Sequence, residues 1–128
     1  MKRRVAREKA LQALYQIDMS GADPAEALEY VLEEEESDFF LKTLIEGTME
    51  NRNEIDEEIE KHLEKWTLSR LAKVDLNILR IGVYELKYLK DAPSNVVLNE
   101  AIEIAKRFGD EKSSKFINGI LSKVKDNL

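Results

Sequence analysis

Between Leu71 and Leu89 the chain carries apolar residues on two helical faces at once, and no other feature constrains its fold as much. Val74, Ile78 and Ile81 recur at helical spacing on one side, and Leu76, Leu79, Val83 and Leu86 do so on another. A helix that is apolar on two sides is buried on two sides. The segment is therefore expected to be a central post against which other helices pack, with Gly82 marking a tight crossing. Tyr84 and Tyr88, one turn apart, are expected to pack in the core with their hydroxyls reaching the surface. No run alternates with the period of a strand, so the expected class is all-α. It should hold about seven helices in two small subdomains, spanning approximately 1–51 and 52–128, around the buried post.

The surrounding segments supply those helices. From Arg3 to Asp18, Ala6, Ala10, Ala13, Leu14 and Ile17 form one apolar stripe. Ser20, Gly21 and Asp23 make a turn, and Pro24 suits the first position of a helix with Ala27, Leu28, Val31 and Leu32 inward. The acidic run Glu33 to Glu36 reads as a solvated helix end rather than a metal site, because consecutive residues on a helix point in different directions. Ser37 is expected to cap a third helix, with Phe40, Leu44 and Gly47 inward, and an acidic helix holding Ile55, Ile59 and Leu63 follows. Trp66 is expected to plug the core with its indole N–H on a carbonyl.

The stretch from Pro93 to Val124 reads as two amphipathic helices meeting at a polar corner. Val97, Ala101, Ile104, Ala105 and Phe108 form the stripe of the first, which Gly109 is expected to end in the left-handed conformation. Ser113 is expected to cap the second by accepting a backbone N–H, and Phe116, Ile117, Ile120, Leu121 and Val124 form its stripe. Gly119, inside that helix, calls for a packing reason, such as close approach of another backbone.

Three segments carry a resemblance. NEAIEIAKRFG followed by KFINGIL resembles the C-terminal signature of the NusB family of bacterial transcription antitermination factors. RRVAREKALQALY resembles that family's opening, and RLAKVDLNILRIGVYEL its central helix, in the expected order. The segment from Ser20 to about Trp66 carries little of the family's wording.

Charge and composition narrow the chemistry. The net charge of -6 argues against indiscriminate coating of nucleic acid. Its distribution differs: Lys2, Arg3, Arg4, Arg7 and Lys9 crowd the start, Lys106, Arg107, Lys112, Lys115, Lys123 and Lys125 crowd the end, and the middle is acidic. One positive face is expected if the fold brings the termini together. There are no cysteines, which removes disulfides and thiolate-ligated metals, and no apolar run long enough to span a bilayer or serve as a signal peptide. A cytoplasmic protein is expected. The single histidine, His62, has no second histidine to complete a helical metal motif, and no glycine-rich phosphate loop occurs. No enzyme activity, cofactor or metal is expected.

Recognition of a polyanion remains, and single-stranded RNA suits it best, because unpaired bases stack on aromatics and expose their edges. Arg3, Arg4 and Arg7 would meet phosphates, with Gln12 and Tyr15 further along the first helix. Lys112 and Lys115 would add charge at the start of the last helix, where free backbone N–H groups also favour phosphate. The NusB resemblance implies binding of boxA RNA in ribosomal RNA leader transcripts, together with NusE, a small-subunit ribosomal protein, in a complex that helps RNA polymerase read through terminators. Carried over by position, it places Arg3, Arg4, Arg7, Gln12, Tyr15, Lys115 and Phe116 near RNA, and Asp75, Tyr84 and Glu85 near the protein partner. Some relatives carry an arginine where this chain has Val5, which implies one fewer phosphate contact and greater dependence on the partner. Two rivals stand beside this reading: a helical protein–protein adaptor, and a detached NusB-like domain of a ribosomal RNA cytosine methyltransferase, for whose catalytic domain a chain ending at Leu128 leaves no room. Monomer and dimer are both compatible with the pattern.

Overall fold

The computed structural model describes residues 1–128. They form seven α-helices: α1 (Arg3–Ser20), α2 (Pro24–Leu32), α3 (Phe39–Glu50), α4 (Arg52–Glu60), α5 (Lys73–Tyr84), α6 (Ser94–Phe108) and α7 (Ser113–Asp126). A short 3-10 turn (Leu68–Arg70) precedes α5, and a π-helical turn (Glu85–Leu89) continues it. The helix ends follow local chemistry. Asp23 caps α2 by accepting the Ala25 N–H at 3.0 Å, with Pro24 in the first turn. The acidic run ends α2 with Glu33 and Glu34 in the left-handed region.

α5 is the post that its two apolar stripes require: α1, α3, α4, α6 and α7 all pack against it. Leu76, Ile78, Leu79, Ile81 and Val83 are buried along its length, and one continuous core of 31 residues joins all seven helices. Gly82 lies under α7, where a Cβ would come within 2.7 Å of the Leu121 side chain, so α5 and α7 cross closely there. The Tyr84 ring lies across Gly47 of α3 and stacks with Tyr88 at 6.1 Å. The Tyr88 hydroxyl reaches out to donate to Glu54.

Two arginine sites set the rotation and tilt of α1. Near its start, Arg7 donates from Nε and Nη2 to the Glu85 carboxylate, both at 2.8 Å, and the two side chains are 4% and 3% exposed. Near its end, Asp18 accepts from Arg80 Nη1 at 2.8 Å and from Asn77 Nδ2 at 2.9 Å, while Arg80 forks onto Asp56 of α4 at 2.8 and 3.0 Å. Buried charges persist only when paired and hydrogen-bonded, and both sites meet that condition.

Several local expectations are corrected. Asp38, not Ser37, caps α3, accepting the Leu41 N–H at 2.9 Å. Gly109 is extended, at φ -91 and ψ -170, rather than left-handed. It must be glycine because a Cβ there would overlap Ser113. Ser113 lies just inside α7 and accepts the Asp110 N–H, while Asp110 accepts that of Lys112, so the corner is an Asp-centred turn. Gly119 has nothing within 4 Å of the place its Cβ would occupy, so no close backbone explains it. Trp66 is not a core plug: it is 55% exposed, in the segment between α4 and α5.

Candidate nucleic-acid interface

The cations of the first helix divide by face. Arg4, Glu8, Gln12 and Tyr15 follow one another at spacings of four, four and three, which places them on one side of α1. Of these, Arg4, Gln12 and Tyr15 are exposed. Arg7 belongs to another side. It stands three residues before Ala10, four before Leu11 and seven before Leu14, all three buried, and so points with them into the protein.

Long charged side chains, rather than closely packed backbones, bridge α1 to α6 and to the loop before it. Arg3 donates to Asp91 at 2.6 Å, Arg4 donates from Nε and Nη2 to Glu100 Oε2 at 3.0 and 2.6 Å, and Arg107 donates to both oxygens of Glu8 at 2.9 and 2.8 Å. The pairs advance in the same direction along both helices. Arg4 therefore stands beside the middle of α6, and Arg107 at its last turn, on the way to the corner that carries Lys112 and Lys115. Arg107, at the end of α6, is thus held beside α1, and the corner that carries Lys112 and Lys115 follows it.

These cations remain open to a further partner. Arg3, Arg4 and Arg107 side chains are 55%, 54% and 65% exposed. A guanidinium has five N–H donors, and Arg4 spends two on Glu100. The hydrogen bond and charge of Glu100 raise the Arg4 pKa, so it stays cationic throughout the working range. The Arg3 guanidinium lies 3.9 Å from the centroid of Phe40, which fixes its plane. Exposed pairs of this kind are worth at most about 1 kcal/mol each, so an incoming phosphate can share or displace a carboxylate at small cost.

Other predicted positions lie elsewhere. Arg7 is closed off by Glu85: burial pushes its pKa down, but the hydrogen bond and charge of Glu85 outweigh this and the net shift is upward. A phosphate can reach Arg7 only by opening a buried ion pair. Glu85 and Tyr84, expected to face the protein partner, are 3% and 8% exposed and belong to the interior. Asp75 is half-buried at the start of α5, beside Ser113, Asp110 and Lys112. Burial raises its pKa, the Ser113 hydroxyl partly offsets this, and the Asp110 carboxylate adds to the rise. Its Oδ1 is buried without a hydrogen-bond partner. Lys112 and Lys115 are exposed, and Phe116 is half-buried between them and the core. His62 Nε2 lies 3.8 Å from Glu58 Oε1 and faces no second ligand-type side chain.

Sequence reasoning missed two contributors: Glu100 and Glu8, which hold Arg4 and Arg107 in place. The two glutamates sit 96 and 99 residues from their arginines, so no local pattern announces them.

Comparison with known proteins agrees with the wording of the three motifs. The sequence matches the NusB family over residues 4–126. It is 56% identical over 128 residues to a transcription antitermination protein NusB of Bacillus licheniformis, covering all of this chain and 99% of that one. The fold superposes on T. maritima NusB with a TM-score of 0.91 and 42% identity, covering 98% of this chain and 92% of the other. It also superposes on NusB in a crystal structure of the antitermination factors NusB and NusE with double-stranded RNA, at a TM-score of 0.89 and 35% identity, covering 98% and 97%.

Proposed function

The chain belongs to the NusB family, and on that premise we propose that it is a transcription antitermination factor that binds boxA RNA of ribosomal RNA leader transcripts together with NusE. In this reading it is a cytoplasmic adaptor rather than an enzyme, and the assembled complex helps RNA polymerase read through terminators. The observation that carries the proposal is the end-to-end kinship with NusB proteins. The α1–α6 edge supports it, because it offers exposed guanidinium groups in a row while the chain as a whole is acidic. A ligand drawn to that edge is selected by local phosphate contacts rather than by overall attraction.

Arg3, Arg4 and Arg107 would contact phosphates, Gln12 and Tyr15 would reach the sugar or base, and Lys112, Lys115 and Phe116 would continue the track. Asp75 is proposed to meet the protein partner at the rim of the α6–α7 corner. Tyr84 and Glu85 would act on that partner indirectly, by holding α5 against α3 and α1.

A salt titration of boxA RNA binding, with and without NusE, tests the reading. Each phosphate contact on a single strand contributes about 0.7 to the slope of log affinity against log salt. Arg4→Ala should lower the slope by about that amount. Glu100→Gln, which frees Arg4, should raise affinity about twofold to fivefold at low salt, the worth of an exposed pair. Equal binding and equal slopes in the wild type and both variants would refute the proposal.

A further inference from the structure

Of the three carboxylates that hold the outer arginines, Glu100 alone has a second arginine within ion-pair distance. Its Oε2 accepts from Arg4, and its Oε1 stands 3.6 Å from Nη1 of the buried Arg7. Asp91 and Glu8 have no such alternative, each being paired with one cation, Arg3 and Arg107 respectively. Glu100 is only 17% exposed, so losing Arg4 to a ligand without gaining another partner would leave a largely desolvated charge.

Arg7 has donors to match. It donates to Glu85 through Nε and Nη2, and its Nη1 makes no hydrogen bond. With the side chain 4% exposed, water supplies little in place of a partner. A cavity of about 10 Å³ borders this guanidinium, walled by Val97, Ala101 and Ile104 of α6, the helix that carries Glu100. Closing from 3.6 Å to about 2.8 Å, the length of a charge-assisted bond, takes only a rotation of the Glu100 carboxylate.

We propose that Glu100 is a transfer carboxylate: when an RNA phosphate takes Arg4, Glu100 closes on Arg7 Nη1, which frees Arg4 without stranding a charge and braces the Arg7–Glu85 pair from its other side. This rests on the RNA-binding reading and adds a positioning residue to it. The number of ion pairs is conserved, since Arg4 passes from carboxylate to phosphate and the carboxylate passes from Arg4 to Arg7. Arg4 is therefore easier to release than Arg107, whose partner Glu8 is 12% exposed and has no second cation to turn to. Docking on the surface of α1 is thereby felt in the interior, at the π-helical turn that carries Glu85.

The guanidinium N–H groups of Arg7 report on the transfer, because they are buried and exchange with water only when the pair opens. Their exchange is read by isotope-edited NMR on the full chain. Arg4→Gln removes the competing cation with no RNA present, at an exposed site that leaves the fold intact. The Arg7 protons should then exchange roughly tenfold more slowly than in the wild type, the effect of one added charge-assisted hydrogen bond. That slowing should disappear when Glu100→Ala is combined with Arg4→Gln. Adding a short boxA RNA to the wild type should slow the same protons to a similar degree, whereas Glu100→Ala should bind the RNA without the slowing. Unchanged Arg7 exchange in Arg4→Gln overturns the inference. So does an equal RNA-induced slowing in the wild type and Glu100→Ala, which would be a direct effect of the bound strand. Neither result touches RNA binding itself, so the antitermination reading survives both. Failure of the RNA to bind the wild type at any salt concentration sinks that reading and the inference with it.

Discussion

Arg4 and Arg7 sit less than one turn apart on the same helix, each hydrogen-bonded to its own glutamate from across the fold and with Glu100 also 3.6 Å from Arg7, yet they do opposite things. The Arg4–Glu100 pair lies at the surface, with the arginine 54% exposed. The Arg7–Glu85 pair is sealed, with both side chains under 5% exposed. Water and salt screen the first and leave it exchangeable, whereas the second is irreplaceable without rebuilding its surroundings. One bond type thus serves recognition on one face of α1 and architecture on the other. What separates the two uses is where the helix points the side chain.

The sharpest way to break this contrast is Arg7→Ala. It strands the Glu85 carboxylate in the interior, and removing one partner of a buried pair costs about 3 kcal/mol or more. The midpoint of thermal unfolding should fall by about 10 °C, read by circular dichroism. The paired replacement Arg7→Met with Glu85→Leu should recover most of that loss, since a buried ion pair exchanged for apolar side chains of similar size is often neutral. A double variant as unstable as the single one would show that the charges themselves are needed. Arg4→Ala is the control from the other face: it should change stability by less than about 0.5 kcal/mol in chemical denaturation while weakening RNA binding.

Asp75 tests a third environment, half-buried and incompletely paired. Burial disfavours its ionised form, so its folded pKa lies above the usual 3.8. The folded state therefore holds this proton more tightly than the unfolded state, and stability from this group falls as pH rises through the interval between the two values. Asp75→Asn should raise the unfolding midpoint at neutral pH. The gain should shrink as pH falls through that interval and vanish below about 3.8. A gain independent of pH would assign the effect to something other than ionisation.

Much of the fold is legible in the sequence because it depends on periodicity. The two stripes of α5 place it at the centre, and Gly82 is found where α5 and α7 cross, under the Leu121 side chain. The inward turn of Arg7 is legible too, since it shares the register of Ala10, Leu11 and Leu14, although its charge argues for the surface. The partner that permits its burial, Glu85, is 78 residues away, and no local rule pairs them. Trp66, Gly109 and Gly119 depart from expectation for a related reason. Residue type gives the usual role of a tryptophan or glycine, but the neighbours that decide the actual role come from other helices. Likewise, Ser113 looks like a helix cap, yet it lies just inside α7 and its hydroxyl accepts the N–H of Asp110 instead.

The two arginine sites that grip α1 also have a consequence for timing and cost. Because Glu85 holds the helix near its first turns and Arg80 holds it near its last, the outer edge is set before any ligand arrives. A strand docking there orders only its own backbone and a few flexible side-chain tips, so little of the gross contact energy is spent on arranging the protein. Capture should then be limited by how often the strand collides in a suitable orientation, and release by how many phosphates let go together.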